Sequence, residues 1–189
     1  MPKRYDNFIE YLNNTIKIPP TSKYCAIDLF AGCGGLSLGF EAAGIKTVGY
    51  EMVEDCCDTY RKNLRSECHQ EIITKDTEFP RASVLIGGPP CQPFSRRGKR
   101  KGQIDDRNGF PAFIEAVKKV QPDLWMCENV KGLPEQSTSY FQSIIDQCKK
   151  LGYIVEHRTF QLVKFDVPQS RERMVIVGHH GGFKFPKPN

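Results

Sequence analysis

Ile27-Asp28-Leu29-Phe30-Ala31-Gly32-Cys33-Gly34-Gly35-Leu36 carries an apolar run straight into glycines and then into a second apolar run. The first run, Tyr24 to Phe30, reads as a buried strand, and Leu36 to Ala43 reads as a helix ended by Gly44. Glycines between a strand and a helix let the backbone turn tightly and approach a ligand closely. The turn alone leaves its ligand open. It departs from the GxGxxG of nicotinamide-cofactor sites, because Ser37 stands where the last glycine belongs.

Working outward, the same alternation repeats. Lys46 to Tyr50 reads as a second strand and Val53 to Leu64 as a second helix. Ile72 to Lys75 reads as a short third strand and Val84 to Gly87 as a fourth. Phe113 to Val120 is helical, Leu124 to Glu128 is a fifth strand, and Tyr140 to Leu151 is helical with Gly152 as its stop. Ile154 to Gln161 and Met174 to Gly178 are the last two strands, close enough to be antiparallel neighbours. This rhythm predicts an α/β fold, a doubly wound, mostly parallel sheet with helices on both faces. Upstream, Tyr5, Phe8, Ile9, Leu12 and Ile16 have helical spacing that Pro19-Pro20 stops. Residues 1–23 are therefore expected as a helical extension and 24–189 as the main domain.

The chain has 189 residues, 39% hydrophobic and 26% charged, the balance of a globular domain. No apolar run approaches a membrane span, and the N-terminus has no signal-peptide core. Eight cysteines without a CxxC pair or even spacing fit free thiols and a cytoplasmic location, nucleoid-associated in a bacterium. The net charge of +5 permits an acidic partner without demonstrating one. Arg96, Arg97, Lys99, Arg100 and Lys101 crowd together, as a solvated basic loop or as phosphate contacts. Cys68-His69 and His179-His180 are isolated pairs that read as surface residues, so no metal is expected.

In doubly wound sheets ligands sit beyond the carboxyl ends of the strands, and the informative residues fall there. Glu51 ends the second strand, where a carboxylate can take ribose hydroxyls or simply face solvent. Asp76 after the third strand can hold an adenine amino group or serve as a turn residue. Gly87-Gly88-Pro89-Pro90-Cys91-Gln92-Pro93-Phe94-Ser95 places a cysteine on a stiff proline loop directly after the fourth strand. Neither its prolines nor its glycines suit a helix or a central strand, so Cys91 reads as a nucleophile rather than a core thiol. Glu128, in Met126-Cys127-Glu128-Asn129-Val130, can reach the same substrate or pair with an arginine. Arg171 and Arg173, in Gln169-Ser170-Arg171-Glu172-Arg173, alternate so as to share a strand face, where they can clamp a phosphate or a carbonyl oxygen.

Taken in order as DLFAGCGG, GYE, KD, GGPPCQPFS, ENV and QSRER, these stretches resemble the cytosine-5 DNA methyltransferase family, over about Tyr24 to Gly178. The resemblance implies the Rossmann-like sheet of S-adenosylmethionine-dependent methyltransferases. It implies that cofactor as ligand of Phe30, Ala31, Gly32, Gly34, Gly35, Leu36, Glu51, Met52, Asp76, Thr77, Gly88 and Pro90. Cys91 would add to C6 of cytosine, Glu128 would bond N3 and the 4-amino group, and Arg173 with Arg171 would hold O2. The target base would be flipped out of double-stranded DNA. The Ser95 to Arg107 segment resembles a loop that closes over DNA, with Gln92, Ser95, Arg96, Arg97 and Lys99 as DNA contacts. Family members usually continue into a target-recognition region and a closing motif. Phe183, Phe185, Pro186 and Pro188 look like a crossing toward that part. The expectation is a second polypeptide that supplies it, within a restriction-modification system, or else a truncated chain. Transfer RNA as substrate and a non-catalytic cofactor-binding subunit are the rival functions.

Overall fold

A computed structural model of the chain describes residues 19–90 and 108–188. The expected helix within residues 5–17 lies outside these residues. The chain divides into two compact units, the first formed by residues up to 73 with 82–86, the second by 74–81 with 87 onward.

In the first unit, β1 (Cys25–Leu29) leads through the glycine turn to α1 (Gly35–Ala42), then β2 (Lys46–Glu51), α2 (Glu54–Asn63), β3 (Cys68–Gln70) and β4 (Val84–Gly87). The strand order is β3-β2-β1-β4. β1 runs parallel to β2 with Ile27 opposite Val48, and β2 runs parallel to β3 with Gly49 opposite Cys68. α2 has acids in its first turn and bases in its last, matching the helix dipole at both ends. It buries Cys57 and Tyr60 with Leu64 and Cys68.

In the second unit, α3 (Phe110–Val120) precedes β5 (Leu124–Val130), and α4 (Gly132–Gln136) and α5 (Thr138–Lys150) follow it. β6 (Ile154–Gln161), a 3-10 turn (Leu162–Phe165) and β7 (Glu172–His179) complete the set. α3 has Pro111 in its first turn, where no helical hydrogen bond is lost. Its buried face, Phe110, Phe113, Ala116 and Val117, has the spacing of one helical stripe. The order is β5-β7-β6, with β7 antiparallel to both neighbours. Trp125 is the centre of the core, edge-on to Phe113 at 6.0 Å and to Tyr153 at 6.1 Å.

The α/β, mostly parallel sheet read from the sequence is observed, with seven strands. β4 and β6 match their expected bounds, and the last two strands are antiparallel neighbours as expected. The third strand is not where it was expected. Ile72 to Lys75 is no strand; β3 is Cys68–Gln70, fixed by its pairing with β2, while Ile72 is exposed. β7 begins two residues early, because Glu172 and Arg173 still pair with Gln161 and Phe160. α4 and the 3-10 turn were not anticipated. Cys68 and His179, read as surface residues, are buried. The seven described cysteines are thiols. Among the described residues no helix is long and apolar enough to cross a membrane.

Candidate active site

In the first unit the chain leaves β1 with Phe30, Gly32 and Gly34 all at positive φ, 58°, 55° and 89°. For Phe30 that conformation costs about 1–3 kcal/mol, a strain typical of ligand-holding turns. At Gly34 a Cβ would crowd the Leu64 and Tyr60 side chains, and the positive φ adds strain for any other residue. A Cβ at Gly32 or Gly35 would meet nothing within 4 Å, so the turn is open on that side.

Glu51, at the end of β2, holds this turn. Its Oε2 accepts from the Gly32 N–H and its Oε1 from the Val53 N–H, both at 2.9 Å. Each carboxylate oxygen keeps a second acceptor site. A carboxylate with spare lone pairs beside an open glycine turn fits a cofactor carrying ribose hydroxyls. Met52, next to it, is exposed. Ala31 and Leu36 flank the glycines, and the Ala31 N–H donates to the Tyr50 C=O at 3.1 Å.

Beneath the turn lies a buried polar chain that the sequence reading missed. The Ser37 hydroxyl donates to Asp28 Oδ2 at 2.7 Å, and the Tyr60 hydroxyl donates to Ser37 Oγ at 2.8 Å. Thr47 Oγ1 lies 2.9 Å from the Tyr60 oxygen and donates to Glu41 Oε1 at 3.0 Å. Burial pushes the Asp28 carboxyl up to about 6, against the lowering effect of Ser37 and with a smaller push from the Glu51 charge. Burial likewise raises the Tyr60 phenol. An aspartate inside the apolar run of β1 was the visible signal for this network.

In the second unit the residues expected to handle the base come together. Arg173 Nε lies 2.6 Å from Glu128 Oε1, and Arg173 Nη1 donates to the Glu172 C=O at 2.8 Å. Arg171 lies just before β7 and is exposed; its C=O accepts from Leu162 N–H at 2.9 Å. Arg173, then, is the arginine that reaches Glu128. Asn129 Nδ2 donates to the Pro89 C=O at 2.9 Å, and the Gly109 N–H donates to the Pro90 C=O at 2.9 Å. The proline loop is thereby pinned at two successive carbonyls, and Asn129 is a loop anchor that the sequence reading quoted without a role. A Cβ on Gly88 would approach Glu128 Oε2 to 3.8 Å.

Also in this unit, Thr77 is buried and accepts from the Thr74 N–H at 3.0 Å, while Asp76 is exposed in the same turn. Asp76 therefore lies on a turn well past β3 rather than directly after it. Cys91, Gln92, Ser95, Arg96, Arg97 and Lys99 lie outside the described residues. Among the described residues no group of three or more His, Cys, Asp or Glu could hold a metal ion.

Comparison with known proteins places the chain in a family. The chain is 39% identical to the Type II methyltransferase M.AplI of Arthrospira platensis, over 96% of this chain and 53% of that one. It is 40% identical to the Type II methyltransferase M.BsuFI of Bacillus subtilis, over 94% of this chain and 46% of that one. The chain thus spans about half the length of these curated relatives. The fold is shared with the crystal structure of the Dnmt2 methyltransferase of S. pombe. There the TM-score is 0.64 at 21% identity, covering 86% of this chain and 53% of that one. The family model for C-5 cytosine-specific DNA methylases matches residues 24–189, and the chain belongs to that family.

Proposed function

We propose that this chain is the catalytic part of an enzyme that methylates C5 of a flipped-out cytosine in DNA, with Cys91 as covalent nucleophile. The observation that carries the reading is the Glu128–Arg173 pair, 2.6 Å apart, in the unit that also fixes Pro89 and Pro90. Cys91 follows those prolines directly in sequence.

Cytosine C5 is a poor nucleophile. Addition of the Cys91 thiolate to C6 forms a C6–S bond and turns the C4–C5–C6 system into an enamine that is nucleophilic at C5. Glu128 supports this by bonding N3 and the 4-amino group, and Arg173 by bonding O2, where negative charge collects. In the absence of base the two side chains pair with each other, so each is already oriented when the cytosine enters between them. Loss of the C5 proton and cleavage of the C6–S bond return Cys91 to its starting state. S-adenosylmethionine, when bound, supplies the electrophilic methyl group. The Phe30–Gly35 turn and Glu51 are the residues that hold it, Glu51 through the lone pairs left free by Gly32 and Val53.

A stacked base is out of reach of this chemistry, and unstacking it costs a few kcal/mol. Phosphate contacts cannot choose which base to flip. The Type II relatives are about twice as long. The reading places target recognition outside these 189 residues, on a second polypeptide acting with this one in a restriction-modification system. The test is tritiated methyl transfer to mixed DNA and to transfer RNA, by the chain alone and with the product of the adjacent gene. Sequence-specific 5-methylcytosine in DNA that needs the second product supports the reading. Robust specific methylation of DNA by the lone chain removes the need for a partner, and transfer only to RNA moves the substrate.

A further inference from the structure

The second unit carries a cleft that the methyl-transfer residues leave unused. It has a volume of about 410 Å³ and lies where the end of β6, the 3-10 turn and the residues up to Pro188 meet. Its cations are Arg158 and Lys164, and its apolar wall is Phe160 and Phe165, with ring centroids 5.4 Å apart. Arg158 is held in place: its guanidinium sits 4.9 Å over the Phe185 ring, and Nη1 donates to the Pro186 C=O at 3.4 Å. The one carboxylate in the lining, Glu172, is bonded by Lys131 and by Gln161 Nε2. Lys164 is exposed and has no salt-bridge partner among the described residues.

Two cations, one of them uncommitted, above a wall of two phenyl rings match a phosphate with a flat or apolar body attached. The volume suits one such unit. The sheet register sets the cleft beside the base-handling pair, since Phe160 stands opposite Arg173 and Gln161 opposite Glu172.

We propose that this cleft holds one nucleotide of the strand flanking the target cytosine, its phosphate on Lys164 and Arg158 and its sugar and base edge on Phe165 and Phe160. The inference rests on the reading of the chain as a nucleic-acid methyltransferase. A cation that neutralises one phosphate releases condensed counterions, so its removal lowers the slope of log K against log salt by about one.

The experiment is fluorescence anisotropy of the full chain with a labelled DNA duplex across a salt series. Lys164→Gln should lower the slope by about one and weaken binding several-fold at low salt, while Lys164→Arg keeps both. Phe165→Leu should weaken binding with the slope unchanged, because a ring contact carries no charge. Unaltered affinity and slope in both Lys164→Gln and Phe165→Leu, with binding by the unmutated chain intact, overturn this inference alone. An unmutated chain that does not bind the duplex, alone or with the product of the adjacent gene, overturns it together with the function on which it rests.

Discussion

Arg173 and Glu128 are bonded to each other across adjacent antiparallel strands, Nε to Oε1, at 2.6 Å. Their side chains are about a quarter exposed, so the pair contributes little stability of its own. Its meaning is positional. The register sets Arg173 opposite Val130 and Glu128 opposite Val175, which leaves the two side chains diagonal neighbours at the same end of the sheet. Glu128→Gln keeps the shape but removes a group that can take up and give back a proton as the ring reacts. Methyl transfer by the complete enzyme should fall by about 10²-fold or more. S-adenosylmethionine affinity, measured by equilibrium dialysis, should stay within a factor of two or so of the parent. A variant whose main defect is weaker cofactor binding would contradict the role given to Glu128.

Glu51 faces two N–H donors at once, those of Gly32 and Val53. Glu51→Gln leaves one oxygen for two donors and turns an amide NH₂ toward the other. An N–H left without its acceptor costs about 1–3 kcal/mol. The urea midpoint should drop accordingly, and cofactor affinity should fall tenfold or more as the Phe30–Gly35 turn loosens. Unchanged cofactor affinity in a variant of lowered stability would leave Glu51 as a purely structural residue.

The glycine turn after β1 was legible because its chemistry is local. Glycines at Gly32 and Gly34 answer a backbone demand that nearby sequence states openly, and Glu51 ends a strand at the usual distance. β4 was legible because Val84-Leu85-Ile86 is an apolar run closed by two glycines. The third strand was misread because Ile72 and Ile73 have strong strand propensity, while Cys68-His69-Gln70 has little. Pairing with β2 decided the matter, and pairing is not local. The Asn129–Pro89 bond joins residues 40 apart, so nothing near either residue announces it. For Glu128, sequence offered two partners, a base or an arginine. In the structure the arginine occupies that role, and it is the one first matched to the base.

Asp28 gives the protein a defined pH dependence. Four contacts link Asp28 to Glu41 through Ser37, Tyr60 and Thr47, but three hydroxyls bring only three protons. A fourth proton on Asp28 would let every contact carry a hydrogen bond, with the donors running from Asp28 toward Glu41. The Asp28 carboxyl is raised from 3.8 to about 6, so between those values the folded state binds the proton more tightly than the unfolded chain. Its contribution to stability is fully present below about pH 4 and is lost as pH rises through about 6, a change of roughly 3 kcal/mol. Urea unfolding of the parent and of Asp28→Asn, compared from pH 4 to 7, isolates this term. The difference between the two should shift across that window in favour of the variant as pH rises. A difference that is flat in pH means that Asp28 does not hold the proton.

Cys91→Ser tests the covalent step itself. The thiol follows Pro89 and Pro90 in sequence, and the carbonyls of those two prolines accept from Asn129 Nδ2 and the Gly109 N–H. A serine hydroxyl has nearly the same size but is far less acidic and a much weaker nucleophile toward C6. The variant should fold normally, bind S-adenosylmethionine like the parent and lose methyl transfer. DNA carrying 5-fluorocytosine separates this role from a structural one, because fluorine at C5 cannot leave as a proton does. With that DNA and the cofactor the parent enzyme, in its active assembly, should stop after methyl transfer with its C6–S bond intact. It should then migrate as a denaturant-resistant protein–DNA species. The Cys91→Ser enzyme should give none. Trapping by the serine variant at the parent's level would remove Cys91 from the mechanism. Loss of trapping together with loss of cofactor binding would show a folding defect, which the Glu128→Gln variant would not share.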